Sequence, residues 1–135
     1  MKIMGIDYGS SRIGVAVAEM GLRLAFARPY VRGQGSIEKD SVNIGAIAKE
    51  EGISFVVVGL PLLESGEEGE QAGIARRFGA GLAEQGLSVA FWDERFTTAA
   101  ARMNLEDAPR KKQEELVDSE AARIMLVDFL SKGDE

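Results

Sequence analysis

The sequence predicts an α/β protein built on a mixed sheet with helices on both faces. Three observations carry that expectation. Residues 2–32 divide into three short strand-like segments separated by turn residues, which reads as a meander. Residues 53–59, ISFVVVG, and 87–93, LSVAFWD, are apolar runs of the kind found in buried strands. Segments of helical periodicity alternate with those runs. The resulting order, βββαβαβαα, joins an antiparallel meander to βα units, and that combination gives a mixed sheet.

Each element has its own local reason. Residues 2–8 form the first strand, and Gly9, Ser10 and Ser11 turn the chain into the second, 12–19. Residues 23–32, RLAFARPYVR, form the third, where Pro29 predicts an edge or a bend. Ser36 is the N-cap of a helix over 37–51, with Ile37, Ile44, Ile47 and Ala48 on one face. LPLLESGEEGE is a loop. The helix over 70–85 buries Ala72, Ala75, Phe78 and Leu82. TTAAARMN is a short helix capped by Thr97 or Thr98, LEDAPRKKQ a polar connection, and 114–131 the last helix. The tail KGDE frays. There is no internal repeat, and the 135 residues form one domain, 1–135.

Composition narrows the chemistry. The chain has no Cys and no His. Disulfides, thiolate nucleophiles, Cys/His zinc sites and imidazole bases are excluded, so catalysis rests on carboxylates, hydroxyls, amines or a bound ion. No stretch reaches the length of a membrane span, and one Lys followed by Asp7 leaves no signal-peptide core. The expectation is a cytoplasmic protein with no membrane partner. Net charge is −6, but it is segregated. Residues 1–35 hold five Lys/Arg against two Asp/Glu, and 95–113 again five against two. Residues 36–75 hold two against eight, and 114–135 two against seven. A local basic face can bind phosphate despite an acidic total; the competing reading is a set of solvated faces.

Three acids stand where acids are costly. Asp7 shares a side of the first strand with Ile3 and Gly5, while Met4, Ile6 and Tyr8 take the other. A carboxylate at the rim of a buried strand needs a partner or a cation, unless it caps the backbone of the Gly9–Ser10 turn. Asp93 and Glu94 end an apolar strand and point to opposite faces, so only one of them can join Asp7. Asp118 lies on the apolar stripe of Ala121, Ala122, Met125 and Phe129 in the last helix, unless it is that helix's cap. Glu120 and Arg123, three apart, read as a surface pair. Asp7, Glu94 (or Asp93) and Asp118 thus converge on one place. Like charges this close need compensation, and magnesium or manganese supplies it through oxygen ligands. Two such ions can hydrolyse a phosphodiester.

The segments GIDYGSSRIGVAVAE, VVVGLPLLESGEEGEQA, DERFTTAAA and VDSEAARIMLVDFL resemble, in order, the four motifs of the YqgF/RuvX family. The resemblance spans nearly the whole chain. It implies an RNase H-like five-stranded mixed sheet flanked by helices, and a metal-dependent nuclease using Mg2+ or Mn2+. It implies 5′ maturation of pre-16S rRNA during ribosome biogenesis, with Holliday junction resolution as the alternative. The implied partner is structured RNA or branched DNA, together with ribosomal precursor particles, and the implied state a monomer or homodimer. Carried over, Asp7, Glu94 and Asp118 are catalytic and metal-binding. Arg12, Arg95 and Thr97 contact substrate, and Gly59 and Pro61 match the GLP motif. The family commonly has Asn-Met-Asp-Gly after GLPL, whereas this chain has Leu63-Glu64-Ser65-Gly66. Arg110, Lys111 and Lys112, the densest basic run, are expected on a mobile connection that touches the phosphate backbone. Two readings from other classes compete. The first hairpin also resembles the phosphate-binding hairpin of actin-like ATPases, which generally need a second core domain. A non-catalytic RNA-binding assembly adaptor would keep the fold without the metal.

Overall fold

Five strands pair in the order β3-β2-β1-β4-β5. They are β1 Lys2–Asp7, β2 Arg12–Glu19, β3 Ala25–Arg32, β4 Phe55–Leu60 and β5 Ser88–Asp93. The computed structural model describes residues 1–22, 24–93 and 110–132, with side chains in the last segment from Ser119 onward. β1, β2 and β3 pair antiparallel, as a meander must, and β1, β4 and β5 pair parallel. The parallel pairs need crossovers. Helix α1 (Ile37–Glu50) leads from β3 to β4, and α2 (Glu70–Glu84) from β4 to β5. The short helix expected at TTAAARMN lies outside the described residues.

Strand alternation splits the core in two. Met4, Ile6, Val15, Val56 and Val58 face α1 and α2 and pack with Ile44, Ala48, Ala75, Phe78 and Leu82. Ile3, Ala16, Ala18 and Val57 face the last helix, α3 (Arg110–Lys132), and pack with Ala122, Met125 and Leu126. On the α3 side β1 and β2 present the small residues Gly5, Ala16 and Ala18, so that helix lies close to these two strands. The limit is set at Gly5, where a Cβ would stand 3.2 Å from both the Ala122 carbonyl oxygen and the Leu126 Cβ.

The caps follow the sequence. Ser36 has extended backbone, and its Oγ accepts the Lys39 N–H at 3.1 Å. Gly52 and Gly86, at φ +73 and +89, turn the chain out of α1 and α2. Pro29 does both things expected of it. β3 is an edge strand, and its register with β2 shifts between Ile13↔Val31 and Val15↔Arg28.

Three expectations are corrected. β5 is not a buried strand: it has β4 alone beside it among the described strands and is only half-buried over Val89–Trp92. The last helix begins at Arg110, so Arg110, Lys111 and Lys112 sit in its first turn rather than on a connection. Pro109 followed by Arg-Lys-Lys-Gln-Glu-Glu-Leu is an unbroken run of helix formers behind a residue suited to a helix start. Glu120 is buried, at 8 % exposure, although its pairing with Arg123 is as expected.

Candidate active site

Asp7 closes β1, and its side chain shares the face of Ile3 and Gly5, under α3. It is half-buried and stands opposite Gly14 of β2. α3 runs antiparallel to β1 along this face. Near its C-terminal end the Phe129 ring meets Phe55 at 5.9 Å, and Phe55 is paired with Ile3. Ala122 and Leu126 cover Gly5. One turn earlier, buried Ser119 accepts the Val15 N–H on its Oγ at 3.2 Å, and Val15 is paired with Ile6. Three successive levels of the helix thus match three successive levels of β1. The backbone of Asp118, one residue before Ser119, is thereby brought to the Asp7 end of the strand.

The ends of β4 and β5 lie at the same edge. Ile6 pairs with Val58, so Asp7 is level with Gly59, and Gly59 pairs with Trp92. β5 alternates as its neighbours do. Trp92 packs on the α3 side, its Nε1–H donating to Asp128 at 2.8 Å and its ring edge-on to Phe129. Val89 and Phe91 pack on the other side, and alternation puts exposed Asp93 with them. Asp93 is therefore on the face opposite Asp7. Glu94, Arg95 and Thr97, and the side chains of Asp118, Arg110, Lys111 and Lys112, lie outside the described residues. Among the described residues no three acids form a metal-sized cluster.

Arg12 begins β2 beside the turn, exposed, with its guanidinium 5.2 Å from the Tyr30 ring centroid. Gly59 and Pro61 lead into a closed loop. Leu62 bridges Glu68, the Leu63 N–H donates to Glu67 O at 2.9 Å, and Glu68 takes a two-pronged grip from Arg76 at 2.6 and 2.7 Å. That grip holds the Glu68 carboxyl below its usual range. The Leu63–Gly66 segment, where the sequence departs from the family pattern, is thus ordered by its own backbone and by α2.

Two residues behind the site escaped the sequence reading. Asp40, 1 % exposed, accepts the Tyr8 hydroxyl at 2.5 Å and the Gln34 N–H at 2.6 Å. Tyr8 stacks on Phe78 at 4.3 Å, and burial, then the Asp40 carboxylate, push its phenol well above the ordinary value. The cluster ties the residue after Asp7 to α1 and to the loop leaving β3. The available signal was spacing: Asp40 falls on the stripe of Ile44 and Ala48. Ser119 likewise falls on that of Ala122 and Leu126.

Comparison with known proteins identifies the family. Residues 1–132 match the family model described as "RuvX: Holliday junction resolvase". A Thermus thermophilus protein named "Putative pre-16S rRNA nuclease" is 36% identical over 135 residues, covering 98% of this chain and 99% of its own. A Myxococcus xanthus protein of the same name is 37% identical over 133 residues, covering 96% and 87%. Among solved structures, T. thermophilus RuvC in complex with a Holliday junction substrate superposes with a TM-score of 0.61. It covers 99% of this chain and 96% of that one, and at 17% identity the likeness is one of fold. With the family model matched over residues 1–132 and relatives 36–37% identical over nearly the whole chain, the chain belongs to the RuvX family.

Proposed function

We propose that the chain is a divalent-metal-dependent nuclease that hydrolyses a phosphodiester in the 5′ maturation of pre-16S rRNA. The observation that carries this reading is the register of α3 on β1. It brings the Asp118 backbone to the strand end where Asp7 lies on the same face. The relatives' name supplies the substrate.

The donor chemistry fits a hard ion. Asp7 offers a half-buried carboxylate, and a chain without Cys or His has only oxygen to offer beside it. The residues that would hold the ion are Asp7, Glu94 and Asp118; the position of Asp93 on the far face favours Glu94 as the acid from the β5 end. When bound, magnesium or manganese would polarise the phosphate and lower the pKa of an attacking water. The chain does the rest. Asp7 is held by β1, with a covered strand on each side. Ser119 ties α3 to β2, which fixes the spacing between strand and helix. Arg12, at the adjacent rim, orients the phosphate backbone, with Arg95, Thr97 and the Arg110–Lys112 run extending that contact.

The test is cleavage by the purified chain with manganese or magnesium, offered a pre-16S rRNA precursor, single-stranded RNA and a four-way DNA junction side by side. Cutting of the precursor is expected. The family model's own description favours the junction as second reading. Cutting of the junction alone would establish that reading, and binding without cutting would leave an assembly adaptor.

A further inference from the structure

The sheet end that carries Asp7 also carries a concavity of about 380 Å³ on the β2–β3 side. Its walls include Ser10, Ser11, Arg12, Tyr30, Arg32 and Gly33, and among the described residues none of its lining is Asp or Glu. Arg12 and Arg32 are register partners on antiparallel strands. Directly opposed like charges destabilise a strand pair, and an anion between them reverses the sign. The two arginines of β3 differ in this respect. Arg28 is committed to Glu51, at 2.8 and 3.4 Å. Arg32 is exposed and enters none of the ion pairs formed among the described residues.

The walls are built to stay in place. The Gly33 N–H donates to Ser11 O at 2.8 Å, and a Cβ at Gly33 would overlap the Ser10 carbonyl, so the two loops meet backbone to backbone. Asp40 holds the next residue, Gln34, by its N–H. The Tyr30 ring supports the Arg12 guanidinium. Arg12 lies two residues beyond Gly14, the partner of Asp7, which is roughly 7 Å along the strand.

We infer that this concavity is a phosphate-binding subsite, in which Arg32 acts with Arg12 to take a backbone phosphate of the strand whose cleavage Asp7 serves. The inference rests on the nuclease reading for its substrate, but the anion site can be tested without cleavage. Two measurements in chelator do so. The first is a titration with tripolyphosphate followed by NMR at the Gly33 and Gly35 amides and the Arg32 Nε. Saturable shifts are expected in the wild type and not in Arg32→Ala. The second is the salt dependence of binding to a fluorescein-labelled single-stranded RNA. Arg32→Ala should flatten the log–log slope by roughly 0.7 per lost phosphate contact. Arg32→Lys should keep the slope, and Lys49→Ala, an exposed cation on α1, should leave it unchanged. No saturable shift, or an equal loss of slope in Lys49→Ala, would overturn the subsite. If the subsite passes while no nucleic acid is cut with manganese, the nuclease reading falls and the subsite stands.

Discussion

Asp7 and Asp93 close neighbouring levels of one sheet edge and differ in the face they take. That difference decides their expected roles. Asp7→Asn keeps shape and removes a charge from the α3 face, and hydrolysis should fall by more than about a hundredfold, beyond the loss typical of an outer-shell partner. Asp93→Asn acts on the opposite face and should leave most of the rate. Single-turnover cleavage of both variants checks the assignment, and the reverse ranking would sink it. Tyr8 needs a different measurement. Its phenol donates to a buried carboxylate, so Tyr8→Phe leaves Asp40 with one donor fewer, at a cost of about 1–3 kcal/mol near neutrality. The phenol's pKa is raised by burial and by Asp40. Its contribution is therefore fully present below the ordinary tyrosine value of about 10 and declines as pH rises above it. Urea melts across that range should show a steeper alkaline loss in wild type than in Tyr8→Phe. Parallel curves would mean that the hydrogen bond carries no stability.

At the scale of elements, the site depends on how closely α3 approaches β1, and Gly5 sets that distance. In Gly5→Ala the new methyl meets a backbone carbonyl and a Cβ, neither of which can swing aside. The expected cost is about 1–3 kcal/mol in denaturant midpoint, with a larger proportional loss of cleavage as the helix shifts off its register. A variant as stable and active as wild type would show that the helix position is not critical. This close approach was not readable from the chain alone. A glycine in a strand marks proximity to something without saying to what, and Ala122 and Leu126 lie more than a hundred residues away. What local pattern decides was readable: the meander, the Ser36 cap, the buried stripe of α2 and the bend at Pro29. β5 read as buried because its composition reports apolar content, whereas its place at the edge of the described strands depends on strand order. The start of α3 was misplaced because charged helix formers resemble a polar loop when only hydrophobic periodicity is followed. Of the site, the face of Asp7 followed from alternation. Asp40 and Ser119 did not stand out, because polar residues on an apolar stripe are told from surface ones only once their partners are placed.

For the molecule as a whole, the acidic total coexists with a sheet end where Arg12 and Arg32 stand beside the proposed carboxylate site. Stability should reflect what those carboxylates are for. If Asp7, Glu94 and Asp118 converge to hold a cation, they repel one another in chelator, and the apo protein carries a cost retained for function. Asp7→Asn should then melt at the same or a higher temperature than wild type in chelator. Manganese binds the folded state preferentially. At a concentration a hundred times Kd it adds about 2.7 kcal/mol. For a chain of this size that corresponds to an upward shift of the wild-type Tm on the order of 10 °C. The variant should respond less. If Asp7 instead caps the Gly9–Ser11 turn, the substitution removes a hydrogen bond worth about 0.5–1.5 kcal/mol, and the variant melts lower in chelator. Manganese would then move both proteins equally. Four melting curves, two proteins with and without the ion, separate the outcomes, and equal shifts would end the metal-site reading of Asp7 whatever the nuclease assay showed.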